Sequence, residues 1–177
     1  MLTSRSVRAA VIIAALAVVA TPVANAAAKK PAPKPKWHTL TVTAPLSQTE
    51  QSTVDSGAPG RTKGDIYVLS APVRDASGAV IGHYDLACTI TDEDAGDGTA
   101  RALCKSATVL DRRGEIDAVG LAVLVPSPAA GTTLGVLPRE AEFAVVGGTG
   151  EFTGAHGTVV TSRSDTVRTL RYRYRRG

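Results

Sequence analysis

The chain has 177 residues, with twenty basic and sixteen acidic side chains, a formal charge of +4, and only 4% aromatic residues. Its charge is uneven: with Arg5, Arg8, Lys29, Lys30, Lys34, Lys36, Arg171, Arg173, Arg175 and Arg176 set aside, ten basic residues face sixteen acidic ones. An acidic body excludes a broad nucleic-acid-binding face, and dispersed His38, His83 and His156 exclude a zinc site built on ligand spacing.

Residues 1–26 have the makeup of a secretory signal peptide. Arg5 and Arg8 precede an apolar run from Ala9 to Ala20, and Ala24-Asn25-Ala26 supplies small residues where a signal peptidase cuts. The two arginines are not adjacent, so general secretion is expected rather than the twin-arginine route. The run is too short for a committed membrane span, and no integral membrane segment is expected after cleavage. Residues 27–36, rich in lysine and proline, predict an extended, disordered linker. Weak attraction of its lysines to an anionic cell envelope is compatible with that role. The remaining 37–177 are the size of one domain with one core.

Period-two apolar patterns predict strands at 37–44, 65–70, 80–90, 100–110, 116–125, 142–146, 158–162 and 167–175, punctuated by Gly78, Gly114, Gly131 and the glycines of 147–157. No amphipathic helix is expected. A hairpin of 80–90 with 100–110 centred on Gly96 sets Cys88 opposite Cys104, each eight residues from the centre. In an exported protein such a pair is expected to form a disulfide. The acidic tip from Asp92 to Asp97 fails the calcium-loop pattern, because Asp97 falls where glycine is needed and Leu103 where the closing glutamate belongs. It is expected to be a solvated turn, with no metal. His83 and Asp85 share one strand face and Tyr84, Leu86 and Cys88 the other. The second face is the more apolar, so His83 and Asp85 are expected outside, as a salt-bridging pair.

Next comes Val145-Val146-Gly147-Gly148-Thr149-Gly150-Glu151-Phe152-Thr153-Gly154-Ala155-His156-Gly157. A nucleotide-binding loop would need tighter glycine spacing and a helix after it. Strand-like sequence follows instead, so Gly147, Gly148, Gly150, Gly154 and Gly157 are expected to shape a corner in a sheet, with Phe152 folded back over it. In the last strand Arg171, Arg173 and Arg175 alternate with Leu170, Tyr172 and Tyr174. Arginines to solvent and tyrosines to the interior account for this more simply than base stacking does.

The glycine segment with Phe152, Ala155 and Gly157 resembles the signature of the dirigent and allene oxide cyclase superfamily. Gly64-Asp65, the stretch from Gly82 to Cys88, Arg113-Gly114-Glu115 and the aromatic last strand match the same pattern in order, over roughly Thr39 to Arg176. The resemblance implies an all-β fold, an eight-stranded antiparallel β-barrel with a central apolar cavity. Cys88 matches a cysteine that lines the cavity of plant cyclases. The family acts by confining a reactive intermediate so that it cyclises or couples in one conformation. Plant cyclases carry a glutamate and an asparagine where this chain has Ala44 and Leu46; plant dirigents carry an aspartate there, and an arginine where it has Thr153. Neither set is present, so no catalytic residue is assigned.

The expected activity is therefore that of a secreted barrel binding an apolar or phenolic small molecule, lined by Tyr67, Tyr84, Leu86, Tyr172 and Tyr174, and steering its cyclisation or coupling without a cofactor. The alternative is a non-catalytic binding or surface-associated barrel. A homo-oligomer is compatible with both.

Overall fold

A computed structural model describes residues 36–126 and 135–177. The expected signal peptide, the 27–36 linker apart from Lys36, and the turn at Gly131 lie outside them. Nine strands run antiparallel: β1 (His38–Pro45), β2 (Glu50–Val54), β3 (Ile66–Arg74), β4 (Val80–Asp92), β5 (Ala100–Leu110), β6 (Gly114–Leu124), β7 (Glu140–Gly148), β8 (Ala155–Arg163) and β9 (Val167–Arg176). The order β1-β9-β8-β7-β6-β5-β4-β3 returns to β1, closing the eight-stranded barrel, while β2 pairs with β3 alone. Among the described residues the only helical pieces are single 3-10 turns, at Leu46–Gln48 and Gly150–Phe152.

Alternation forms the wall. In β3 every second residue, from Tyr67 to Val73, is buried, and in β4 the buried set is Gly82, Tyr84, Leu86, Cys88 and Ile90. Each large apolar side chain so enclosed stabilises the fold by roughly 1.5–3 kcal/mol relative to exposure. The expected hairpin holds its register: Cys88 lies directly opposite Cys104, their Cα atoms are 4.0 Å apart, and the two are bonded. Neither has exposed surface, so the bridge belongs to the barrel interior.

β2 was not expected from the sequence. Its residues, Glu-Gln-Ser-Thr-Val, are all exposed and give no apolar period. It completes a broken strand. β1 meets β3 only at Thr43 and Arg74; the chain then kinks through the Leu46–Gln48 turn and resumes against β3, from Glu50 opposite Ser70 to Val54 opposite Ile66. Pro72 sits in β3 between these two stretches. A proline has no N–H to give a ladder and is tolerated at a strand edge. The strand that closes the barrel is therefore broken: β1 meets β3 at one position and β2 supplies five more.

The loop before β3 folds around Asp65, placed at a strand start by the sequence and found just outside it. Its carboxylate accepts hydrogen bonds from the backbone N–H groups of Ser56 (2.7 Å) and Thr62 (2.6 Å). These bonds hold its pKa below the usual carboxylate value. Asp65 has no exposed surface because this loop wraps it.

The glycine segment forms the corner expected. Gly147 and Gly148 finish β7 opposite Asp117 and Ile116, Gly150 begins the 3-10 turn, Gly154 turns into β8, and Gly157 lies within β8 opposite Tyr174. Gly150 has φ 56°, and a Cβ there would lie 2.5 Å from the Arg113 carbonyl oxygen. That contact lets the β5–β6 hairpin lie against the turn: Glu151 N–H donates to the Arg113 oxygen (2.8 Å) and Thr149 N–H to the Glu115 oxygen (2.8 Å). Phe152, fully buried, plugs this end, with the Arg113 guanidinium 5.4 Å from its ring centre.

Candidate functional site

Tyr67 on β3, Tyr84 and Leu86 on β4, and Tyr172 and Tyr174 on β9 all face inward, and none is more than 5% exposed. The structure divides them. Tyr174 belongs to the plugged end, its ring edge-on to Phe152 at 5.7 Å and stacked with His38 at 5.5 Å. Tyr67, Tyr84 and Tyr172 lie near one another within the barrel. The Tyr172 hydroxyl is within 2.5 Å of Thr108 Oγ1, also buried. The Tyr67 hydroxyl donates to Gln51 Oε1 at 2.9 Å. The Tyr84 hydroxyl has no hydrogen-bond partner; Ser106 lies near enough to favour the ionised phenol slightly but misses hydrogen-bond geometry. Burial pushes all three phenols above their ordinary range, so they are neutral donors.

One further inward residue, a charged one, was not foreseen. Arg168, at the start of β9, is 2% exposed and donates from Nη1 to Thr161 Oγ1 at 2.9 Å. Its Nε has no partner. Burial pushes its pKa down, an effect partly offset by the phenols of Tyr84 and Tyr67. The signal was in the sequence: Arg168 shares the period-two phase of Leu170, Tyr172 and Tyr174, opposite to that of Arg171, Arg173 and Arg175.

The polar arc touches the surface at one residue. Gln51 is exposed on β2 and touches buried Tyr67, while Arg168 lies opposite Ala44, one residue beyond the single position where β1 meets β3. The central cavity that the resemblance implies is occupied along this arc by the tyrosines themselves, since Tyr67, Tyr84 and Tyr172 are at most 1% exposed. A concavity of about 600 Å³ lies instead on the outer wall, where Val68, Ala87, Ala107, Val119 and Val146 meet Lys105 and two carboxylates, Asp85 and Asp117.

Several outward residues pair with one another at the surface. His83 and Asp85 pair at 3.2 Å with about half their side-chain surface exposed. At the acidic hairpin tip, Asp92 pairs with Arg101 (3.4 Å) and Glu93 with Lys63 (3.7 Å). Arg173 and Arg175 stack over the Trp37 ring, at 4.6 and 5.5 Å from its centre. No group of three metal-ligating side chains occurs among the described residues, and no described helix is long and apolar enough to cross a membrane.

Comparison with known proteins gives a consistent picture. A family model for the allene oxide cyclase barrel like domain matches residues 46–174. No curated protein is significantly similar in sequence. Among solved structures, pyocyanin demethylase is similar at 25% identity and TM-score 0.53, over 75% of this chain and 98% of that one. The Diels–Alderase AbmU from Streptomyces koyangensis shares 14% identity at TM-score 0.55, over 80% of this chain and 64% of that one. A pterocarpan synthase dirigent protein shares 13% at TM-score 0.52, over 80% and 89%. At such identities the last two show a common fold.

Proposed function

The chain belongs to the allene oxide cyclase barrel-like family, and from that premise we propose that it takes an apolar or phenolic small molecule into its barrel and holds it in one conformation for cyclisation or coupling. The observation that carries this reading is the buried arc of Tyr67, Tyr84 and Tyr172 inside the barrel, one member of which, Tyr67, donates to the exposed Gln51 of β2. Neutral phenols donate hydrogen bonds to a carbonyl or hydroxyl oxygen without requiring a counter-charge. The largely apolar interior excludes water and restricts the ligand's conformers, and confinement of this kind lowers a cyclisation barrier by several kcal/mol, on the order of 7 kcal/mol where alignment is good. Loading requires the tyrosines to swing from their packed positions, and the kink between β1 and β2, where pairing with β3 is interrupted, is where the wall yields at least cost. Neighbours whose names are a demethylase of pyocyanin, a Diels–Alderase and a pterocarpan synthase support a small-molecule role on this fold.

The closed packing around Tyr84 favours a second reading, a non-catalytic structural or cell-surface-associated barrel of the same fold. Native mass spectrometry of protein purified from culture fluid tests both. A retained small molecule supports uptake, and conversion of that molecule by the purified protein separates catalysis from storage. Protein that is always ligand-free, with no binding from a panel of phenolic and terpenoid compounds, refutes the lumen reading. The same spectra locate the mature N-terminus, which we place near Ala27 for a secreted protein.

A further inference from the structure

We propose that Arg168 and Tyr84 form a recognition point for an oxyanion, so that the molecule taken up is an acid or enol whose carboxylate, phenolate or enolate oxygen binds between them. This rests on the lumen reading above and specifies its ligand class. Three observations converge on it. Arg168 is buried without a carboxylate: the five ion pairs found among the described residues all use other side chains. A buried guanidinium is costly to leave unpaired. Two donors inside the barrel, Arg168 Nε and the Tyr84 hydroxyl, lack partners, although buried polar groups are nearly always satisfied. Finally, Arg163 on β8 lies directly opposite Arg168 on β9, a cross-strand pairing of like charges that opposes folding. Arg163 acts electrostatically on both Arg168 and Tyr67, so the positive potential reaches into the arc.

One bound oxyanion answers all three. It accepts from Nε and from the phenol, neutralises the buried guanidinium, and relieves the repulsion across β8 and β9. The aliphatic remainder of the interior holds the ligand's carbon skeleton. Thr161, which already accepts from Nη1, fixes the guanidinium plane and leaves Nε turned elsewhere.

The test compares anionic probes with neutral twins of the same shape: naphthoate against naphthamide for a carboxylate, and nitrophenolate against nitroanisole, at mildly alkaline pH, for a phenolate. Titrations of the full mature protein by calorimetry are expected to show at least one anion binding about tenfold or more tightly than its twin, the range of a charge-assisted hydrogen bond. Which anion prevails identifies the acid class. In R168Q the preference falls to within about twofold while the neutral twin keeps its affinity, and in Y84F the anion loses severalfold. K105Q, on the outer wall, leaves the preference intact. Twins that bind the unmodified protein equally overturn this inference and leave lumen uptake standing; a preference abolished by K105Q places the bound anion on the outer wall and overturns this inference. Probes that fail to bind at all overturn lumen uptake and this inference with it. Because the twin comparison is made on the unmodified protein, it holds even where R168Q does not fold.

Discussion

Opening the Cys88–Cys104 bridge without removing its atoms isolates one term in the stability of the barrel. The cysteines are 16 residues apart, and the chain-entropy relation for a loop of that length gives about 3 kcal/mol at 25 °C, acting through the unfolded state. Reducing the protein in denaturant and refolding it with reductant keeps both sulfurs in the packed interior, so no void contributes. The expected result in urea titrations followed by circular dichroism is a loss of about 3 kcal/mol, with a larger m-value as the unfolded chain expands. For a folded body of this size the melting temperature falls by about 10 °C. Replacing both cysteines by alanine costs roughly a further 1–2 kcal/mol, because two buried sulfur atoms leave space the core does not fill. The partition is visible in kinetics. Entropic loss slows folding, whereas the void accelerates unfolding to the extent that it is felt only after the transition state. A reduced protein within about 1 kcal/mol of the oxidised one would refute the reasoning, since the native contacts would then be supplying what is here ascribed to loop closure.

Gly150→Ala is expected to cost about 2 kcal/mol or more, because alanine is strained at that φ and its Cβ meets the Arg113 carbonyl; an unchanged denaturation midpoint would show that the corner relaxes freely. Thr108→Val is expected to cost about 1–3 kcal/mol by stranding the buried Tyr172 hydroxyl, and adding Tyr172→Phe should recover part of the loss; strict additivity of the two changes would deny the hydrogen bond its role. Asp65 gives a pH signature. Its folded pKa is depressed, so its contribution is complete above the unfolded value near 3.8 and is lost as pH falls through the lower folded value. The stability difference between the native protein and Asp65→Asn is accordingly expected to be flat at neutral pH and to shrink in acid across that window, from the unfolded value down to the lower folded one. A difference that shrinks on raising the pH instead would reverse the sign assigned here.

Local chemistry was legible residue by residue. The hairpin of β4 and β5 follows from two runs of period two about Gly96, and register then makes Cys88 and Cys104 partners whatever surrounds them. The corner at Gly147 to Gly157 follows because glycines in that spacing cannot start a phosphate-binding helix and can accept the turn and the close carbonyl of Arg113. The inward phase of Tyr67, Tyr84, Leu86, Tyr172 and Tyr174 follows from alternation as well. β2 was not legible, because Glu50 to Val54 is exposed on both faces and carries no pattern; only its partner β3, already in place, makes it a strand.

The sequence by itself determined which residues alternate, where the chain turns and which cysteines meet, since these depend on neighbours a few residues away along the chain. Only the tertiary structure decided that β1 breaks before it can seal against β3, that Tyr174 joins Phe152 at the plugged end while Tyr84 stays with Tyr67, and that Arg168 lies buried opposite Arg163. The reason is geometric. A period of two assigns each side chain to one face of its own strand, but whether that face looks into water or into a closed interior, and what waits there, is set by strands brought together from distant parts of the chain.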